Sequence, residues 1–401
     1  MTAGSVPSIL SLTPRDGLFL KDGRGWFTNE AGRAGCVEWP HAGTIRGAVR
    51  TCLGQAHELA LGRSLGHDEW LPLNASVTVD AVLPLCRPAG ATPSTTDRRW
   101  PAPRDAVVFT GDDSVHRLLP TASPTAATIA LDESPEAVAI EGLRHPSPGE
   151  IVGKPASMPT WWCDDAFTAW LCGMPVTTPA IAPTGNPISR VQTHVAIDPL
   201  TGAASDGGLF SSTVIEPLTR AGDSGGVHQW SIAAIGSGFV PEELAGRRLR
   251  LGGDGRSATG STLPPDAFSM PEPLRRVFAA EPRGLRWIVV SHAWFRRGWL
   301  PDWLAARDGT LTGEMPGVGR VVLRSACVGR PVQVSGWDMA ARRPKPTRRL
   351  VPAGSVYFFE KGDGRGFTAA DAEAIWLRAV GEATDPGEAT GAVVPGVWQP
   401  G

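Results

Sequence analysis

Lysine is scarce. Only Lys21, Lys154, Lys345 and Lys361 stand among 38 Lys and Arg, and tyrosine occurs once against 15 tryptophans. The cations are therefore almost all arginine, which a GC-rich coding sequence explains as readily as a need for bidentate phosphate contacts. No apolar run is long enough to cross a bilayer, and no basic-then-apolar segment of signal type begins the chain. A soluble, cytoplasmic protein with no membrane partner is expected. The six cysteines form no C-x-x-C pair and the eight histidines no H-x-x-x-H or other ligand spacing. Buried thiols follow, with no metal and no cofactor. Neither G-x-x-x-x-G-K-[ST] nor a strand–GxGxxG–helix unit occurs, which argues against a nucleotide-triphosphatase or dinucleotide site. Asp223-Ser224-Gly225-Gly226 matches a serine-protease nucleophile loop, but no Ala-His-Cys or Asp-Ile-Ala-Leu segment accompanies it. It reads as a hairpin loop.

The net charge of −2 alone argues against a nucleic-acid binder. Its distribution does not. Residues 1–245 carry sixteen Lys and Arg against twenty-five Asp and Glu, whereas residues 246–401 carry twenty-two against fifteen. Such asymmetry suits one half facing an anion. Two domains, 1–245 and 246–401, are expected from this change and from the length. Each half shows roughly four strands and two helices, an α+β pattern suited to two ferredoxin-like (RRM-like, βαββαβ) domains with insertions and glycine-rich loops.

Four stretches offer chemistry. TIRGAVRTCLGQAHELALG has helical spacing, with Thr44 as N-cap and an apolar stripe through Ile45, Val49, Cys52 and Leu59. Arg46 and Arg50 lie one turn apart near its positive end, as phosphate contacts or as solvated arginines. Ser189–Ile197 alternates as a strand, placing Arg190, Gln192 and His194 on one polar face. After a turn at Asp198–Gly202, a return strand from Asp206 makes a projecting hairpin. In LRLGGDGRSATG, Gly252 and Gly253 let the backbone approach a phosphate chain that Arg256 neutralises, or form a tight turn. In Gly329–Glu360, a strand leads to Trp337 and a loop with Arg342, Arg343, Lys345, Arg348 and Arg349, held extended by Pro344 and Pro346. Trp337 is a base-stacking platform or core. His41 or His194 suits the general base of a metal-independent ribonuclease, or a structural role. Elsewhere, Pro159–Gly173 reads as a helix, Thr368 caps a helix reaching Val380, and Gly387–Gly401 reads as a terminal loop with a short strand at most. Ser114–Pro148 has no firm reading.

Several of these segments carry a resemblance. They are LTPRDGLFLKDGRGW (Leu12–Trp26), TIRGAVRT (Thr44–Thr51), WPAPRDAVV (Trp100–Val108), RVQTHVAIDPLTGAASDGGLF (Arg190–Phe210), LRLGGDGRSA (Leu249–Ala258), GWLPDW (Gly298–Trp303) and VSGWD…RPKPTRRLVPAGSVYFF. Over nearly its whole length the chain resembles the RAMP-superfamily subunit that caps the 5′ end of the guide RNA in type III-B (Cmr) CRISPR effector complexes. The resemblance implies a non-catalytic protein of antiviral defence. It would hold the 5′ handle of the CRISPR RNA, with the large polymerase/cyclase-like subunit on one side and the first backbone RAMP subunit on the other. It implies handle contacts at Arg46, Arg50, Arg190, His194, the Gly252–Arg256 loop and the Arg342–Arg349 cluster. It also implies that the hairpin tip, Pro199–Gly208, inserts between guide and target RNA. A metal-independent guide-processing endoribonuclease and a purely structural adaptor are the alternatives.

Overall fold

The computed structural model describes residues 7–22, 36–124, 127–131, 134–140, 142–220, 225–338, 343–381 and 391–400. The chain forms two compact units, and each is assembled from three stretches. The first comprises Met1–Thr92, Pro187–Leu263 and Gln333–Arg349, the second Pro93–Asn186, Pro264–Val332 and Leu350–Gly401. This interleaving replaces the single boundary expected near residue 245. Charge regroups with it. The first unit carries nineteen Lys and Arg against sixteen Asp and Glu, the second nineteen against twenty-four. Much of the asymmetry between linear halves therefore reflects order along the chain rather than the composition of either unit. Among the described residues no helix is long and apolar enough to cross a membrane.

In the first unit the hub is the strand Val227–Ser237, buried from Trp230 to Gly236. One edge pairs antiparallel with Thr78–Pro88, and the other with Ser8–Pro14 and Leu218–Arg220. Ser8–Pro14 in turn pairs with Ser257–Thr262, which pairs with Arg248–Arg250. The helix Ala42–Leu61 packs on Thr78–Pro88 and Arg248–Arg250. Its buried Ile45, Ala48, Val49 and Cys52 fall at i, i+3, i+4 and i+7, the spacing of one helix face. The helix begins earlier than expected. His41, not Thr44, is the N-cap, its Nδ1 accepting the Gly43 N–H at 3.2 Å. Gly62, at φ 66°, ends the helix in the left-handed region. Leu59 is exposed, so the apolar stripe stops short of the last turn.

Asp80 places a carboxyl between apolar Val79 and Ala81 in the Thr78–Pro88 strand. Ala81 lies opposite Ile235 and Val79 opposite Gly236, so Asp80 falls at the register shift between them. Burial pushes its carboxyl up to about 6. A raised acid stabilises the fold fully below its ordinary value and loses that contribution as pH rises through about 6. Asp80→Asn should therefore raise stability at pH 7–8 by about 2 kcal/mol. Paired urea melts should show that gain shrinking toward zero below about pH 4.

The second unit holds a seven-stranded antiparallel sheet in the order Leu304–Arg307, Thr310–Met315, Gly319–Cys327, Val356–Lys361, Gly284–Ser291, Ala392–Trp398, Arg378–Ala379. Gly284–Ser291 is buried throughout. So is Ala392–Trp398, where the sequence reads as a terminal loop. Its partner explains the difference. Gly396 lies opposite Arg286, whose guanidinium is fully buried and ion-paired to Asp105 at 2.7 Å. Arg286 Nε also donates to the Val397 carbonyl at 2.9 Å, and Nη2 donates to the Trp170 carbonyl. A Cβ on Gly396 would stand 3.2 Å from that Nη2. Trp170 Nε1 donates to the other Asp105 oxygen at 3.0 Å. Trp170 belongs to Asp164–Leu171, a shorter helix than expected, because Trp161–Cys163 before it is a strand paired with Arg99–Pro101. Thr368 does cap its helix, with Oγ1 accepting the Asp371 N–H, but that helix ends at Ile375. Within Ser114–Pro148 the described residues form short antiparallel strands. Asp105→Ala would strand the Arg286 charge and should lower stability by about 3–5 kcal/mol, read from the urea midpoint.

Candidate nucleic-acid interface

The two-residue strand Leu18–Phe19 organises the site. It pairs with Val214 and Ile215 in the return strand of the hairpin formed by Ile188–Ile197 and Ala204–Glu216. The Phe19 carbonyl also accepts the Gly253 N–H at 2.9 Å. Both glycines of the loop are needed for that approach. A Cβ on Gly252 would lie 2.5 Å from the Phe19 carbonyl oxygen, and one on Gly253 2.7 Å from its ring. Gly252 also takes φ 81°, a left-handed conformation that side chains disfavour. The loop closes on itself, with the Leu251 N–H donating to the Arg256 carbonyl at 2.9 Å.

Held this way, the loop forms one wall of a cleft of about 290 Å³. The opposite wall is the helix face Thr44, Gly47, Ala48 and Thr51, and Phe19, Leu20, Lys21, Val37 and Arg250 complete the lining. Gly47 opens this wall, since a Cβ there would meet nothing within 4 Å. Hydroxyls, bare backbone and two cations thus face a space of nucleotide-subsite size. Sequence reasoning singled out Gly252 and Gly253 but missed Phe19, Lys21, Thr44 as a wall residue, Gly47, Thr51 and Arg250. The usable signal was Gly47 inside a helix, since a helical glycine costs about 1 kcal/mol against alanine and so marks a close approach or an open face.

Arg46 and Arg50 are not on that wall. Arg46 is 5% exposed and its Nε donates to the Val77 carbonyl at 3.0 Å. Arg50 is half-buried, and its Nη2 reaches the same carbonyl at 3.4 Å. The two guanidiniums fasten the start of Thr78–Pro88, because a buried carbonyl needs a donor and an arginine stem packs as apolar surface.

The polar hairpin face is as the alternation indicated. Gln192 Oε1 accepts from Arg256 Nη2 at 3.0 Å, joining hairpin to glycine loop, and Arg256 also pairs with Asp254 at 3.3 Å. Arg190 pairs with Glu216 at 2.7 Å. The His194 ring stacks on Phe210 at 4.9 Å, with its Nε2 3.0 Å from Ser212 Oγ. His41 has both ring nitrogens engaged by the helix start, through Gly43 N–H and Thr44 Oγ1.

The cationic stretch is a paired ribbon rather than an extended loop. Val332–Val334 pairs with Arg348–Leu350, and Trp337–Asp338 with Arg343–Pro344. The Lys345 N–H donates to the Gly336 carbonyl at 2.8 Å, and Ser335 Oγ to the Lys345 carbonyl at 2.7 Å. Arg343 and Arg349 are exposed, while Lys345 and Arg348 are half-buried. Arg342 and the Trp337 side chain lie outside the described residues, as do Asp223 and Ser224. Arg46, Arg50, Arg190, His194, Gly252, Gly253, Arg256, Trp337, Lys345, Arg348 and Arg349 all belong to the first unit, although the sequence divides them between two domains. Replacing Gly253 with leucine should displace the loop from Phe19. The expected cost is about 2 kcal/mol in thermal melts, with loss of amide protection at residue 253.

A family model described as CRISPR-associated protein (Cas_Cmr3) matches residues 10–390. No curated protein matches the chain. Among solved structures, a chain of a type III-B Cmr-beta assembly bound to cognate target RNA and AMPPnP aligns with TM-score 0.45 and 12% identity, covering 88% of this chain and 86% of that one. A chain of the same type of assembly bound to cognate target RNA aligns with TM-score 0.43 and 11% identity over the same shares.

Proposed function

The chain belongs to the Cas_Cmr3 family of CRISPR-associated proteins, and from that premise we propose that it is a non-catalytic, RNA-binding subunit of a type III-B effector complex. Its task is to hold the 5′ handle of the guide CRISPR RNA and to bridge the large polymerase/cyclase-like subunit to the backbone RAMP subunits. The observation that carries this reading is the cleft between Thr44–Thr51 and Gly252–Gly253. Single-stranded RNA of fixed sequence is held by splayed nucleotides and by contacts to phosphate and 2′-hydroxyl. Lys21 and Arg250 suit contacts to phosphate, the helix and glycine-loop walls admit a sugar or base at close range, and the volume suits a nucleotide or two rather than a duplex. Arg256 and the cations of Gln333–Arg349 belong to the same unit.

The strand orders support reading both units as ferredoxin-like. Ser8–Pro14, Thr78–Pro88, Val227–Ser237 and Ser257–Thr262, numbered in chain order, lie 4-1-3-2 across the sheet. Gly284–Ser291, Gly319–Cys327, Val356–Lys361 and Ala392–Trp398 repeat that order. In the second unit a β-hairpin, Leu304–Arg307 with Thr310–Met315, stands where the first crossover helix of the βαββαβ unit belongs. The hairpin tip at Pro199–Gly208 is the element assigned to target RNA. Its Leu200 is 94% exposed, an apolar wedge of the kind that separates stacked bases.

Gly47→Leu separates binding from folding. It fills the cleft yet improves helix propensity, so melts should be unchanged or slightly raised while handle-RNA affinity falls about tenfold or more, about 1.4 kcal/mol. Equal loss of stability and binding would count against the cleft. Arg348→Ala with Arg349→Ala should reduce the salt dependence of binding by about two counterions. Incubating the purified protein with repeat RNA should give no cleavage. A cut that disappears in His41→Ala or His194→Ala would establish the endoribonuclease instead.

A further inference from the structure

The hairpin has a second surface that the cleft does not use. Ile188–Ile197 pairs only with Ala204–Glu216, so among the described residues its other edge is open along ten residues. An open edge offers unpaired N–H and C=O groups, and proteins ordinarily blunt one with lysine, proline or a bulge. This edge has no lysine or proline. Its one irregularity lies at the tip end, between Val195 and Ile197, leaving Ile188–Val195 in regular register. The face away from Gln192 and His194 is uncharged, and it sets exposed Val191, Val195 and Leu209 among Ser189, Thr193, Ser211 and Thr213. Val191 is 54% exposed, Val195 44%, and Leu209, opposite Val195, 67%. Charge argues against a phosphate backbone here. Arg190, the one Lys or Arg in the two strands of the shaft, is already paired with Glu216. A polyanion gains from uncommitted cations, whereas an extended peptide gains from main-chain pairing plus alternate apolar side chains.

We propose that the outer edge of Ile188–Ile197 is a β-augmentation site for an extended, alternately apolar segment of a neighbouring protein subunit, which adds a third strand to the hairpin and buries Val191, Val195 and Leu209. This rests on the reading of the chain as a complex subunit. It assigns the shaft of the hairpin to protein and leaves only the tip to target RNA.

Hydrogen exchange tests it. Amides 189–195 are followed in the isolated chain, in the effector complex reconstituted with guide RNA and companion subunits, and in that complex after target RNA is added. The expected result is protection of alternate amides on assembly, before any target is present. Val191→Lys with Val195→Lys should lower incorporation of the chain at least tenfold while leaving its binding of handle RNA unchanged. Protection that appears only with target RNA would make the shaft a nucleic-acid surface and overturn the proposal. So would no protection in either complex, or normal incorporation of the double-lysine variant. Handle-RNA binding by the isolated wild-type chain, measured in parallel, reports separately on the reading beneath it.

Discussion

Two missing side chains set the geometry of the site. Gly252 and Gly253 allow the loop to rest on Phe19, with the Gly253 N–H on the Phe19 carbonyl and no room for a Cβ at either position. Phe19 is also paired to the hairpin through Val214. A two-residue strand therefore registers two elements that are far apart in sequence, the loop and the hairpin. Arg256 adds a second tie, from the loop to Gln192. The helix wall packs on Arg248–Arg250, the strand that leads into the loop, so the walls of the cleft are set before any ligand arrives and binding carries no cost of ordering a flexible loop.

The second unit solves a different problem. Its central charge, Arg286, is enclosed with Asp105, and removing a guanidinium from water is tolerable only when its donors are met. Carbonyls of Val397 and Trp170 meet them, which ties the last strand and the helix Asp164–Leu171 to the middle of the sheet. That closure returns the chain's end to the core and explains a buried strand in a stretch rich in glycine, valine and proline.

Local pattern was legible where one face meets solvent. The alternation of Ser189–Ile197 and the Thr368 cap appear in the structure within a residue or so. What stayed hidden depends on distant partners. Arg46 looks like a surface cation until Val77 supplies its acceptor. AVVPGVW looks like a loop until Arg286 requires a glycine opposite it. Pro344 and Pro346 look like a bar to pairing, yet Pro344 sits opposite Trp337 in the ribbon. The interleaved units are invisible for a related reason. A linear charge balance cannot register that Gln333–Arg349 groups with residues at least 70 positions earlier. The resemblance, by contrast, was strong because its motifs span the loop, the helix and the hairpin at once.

The central claim is that the cleft holds the 5′ end of the guide. The most direct measurement is photo-cross-linking in the assembled complex, with 4-thiouridine placed singly through the handle and adducts mapped by peptide mass spectrometry. The account predicts adducts on peptides covering 18–21, 44–51 and 250–256. Adducts confined to the second unit, or absent from those three peptides while the guide remains bound, would contradict it.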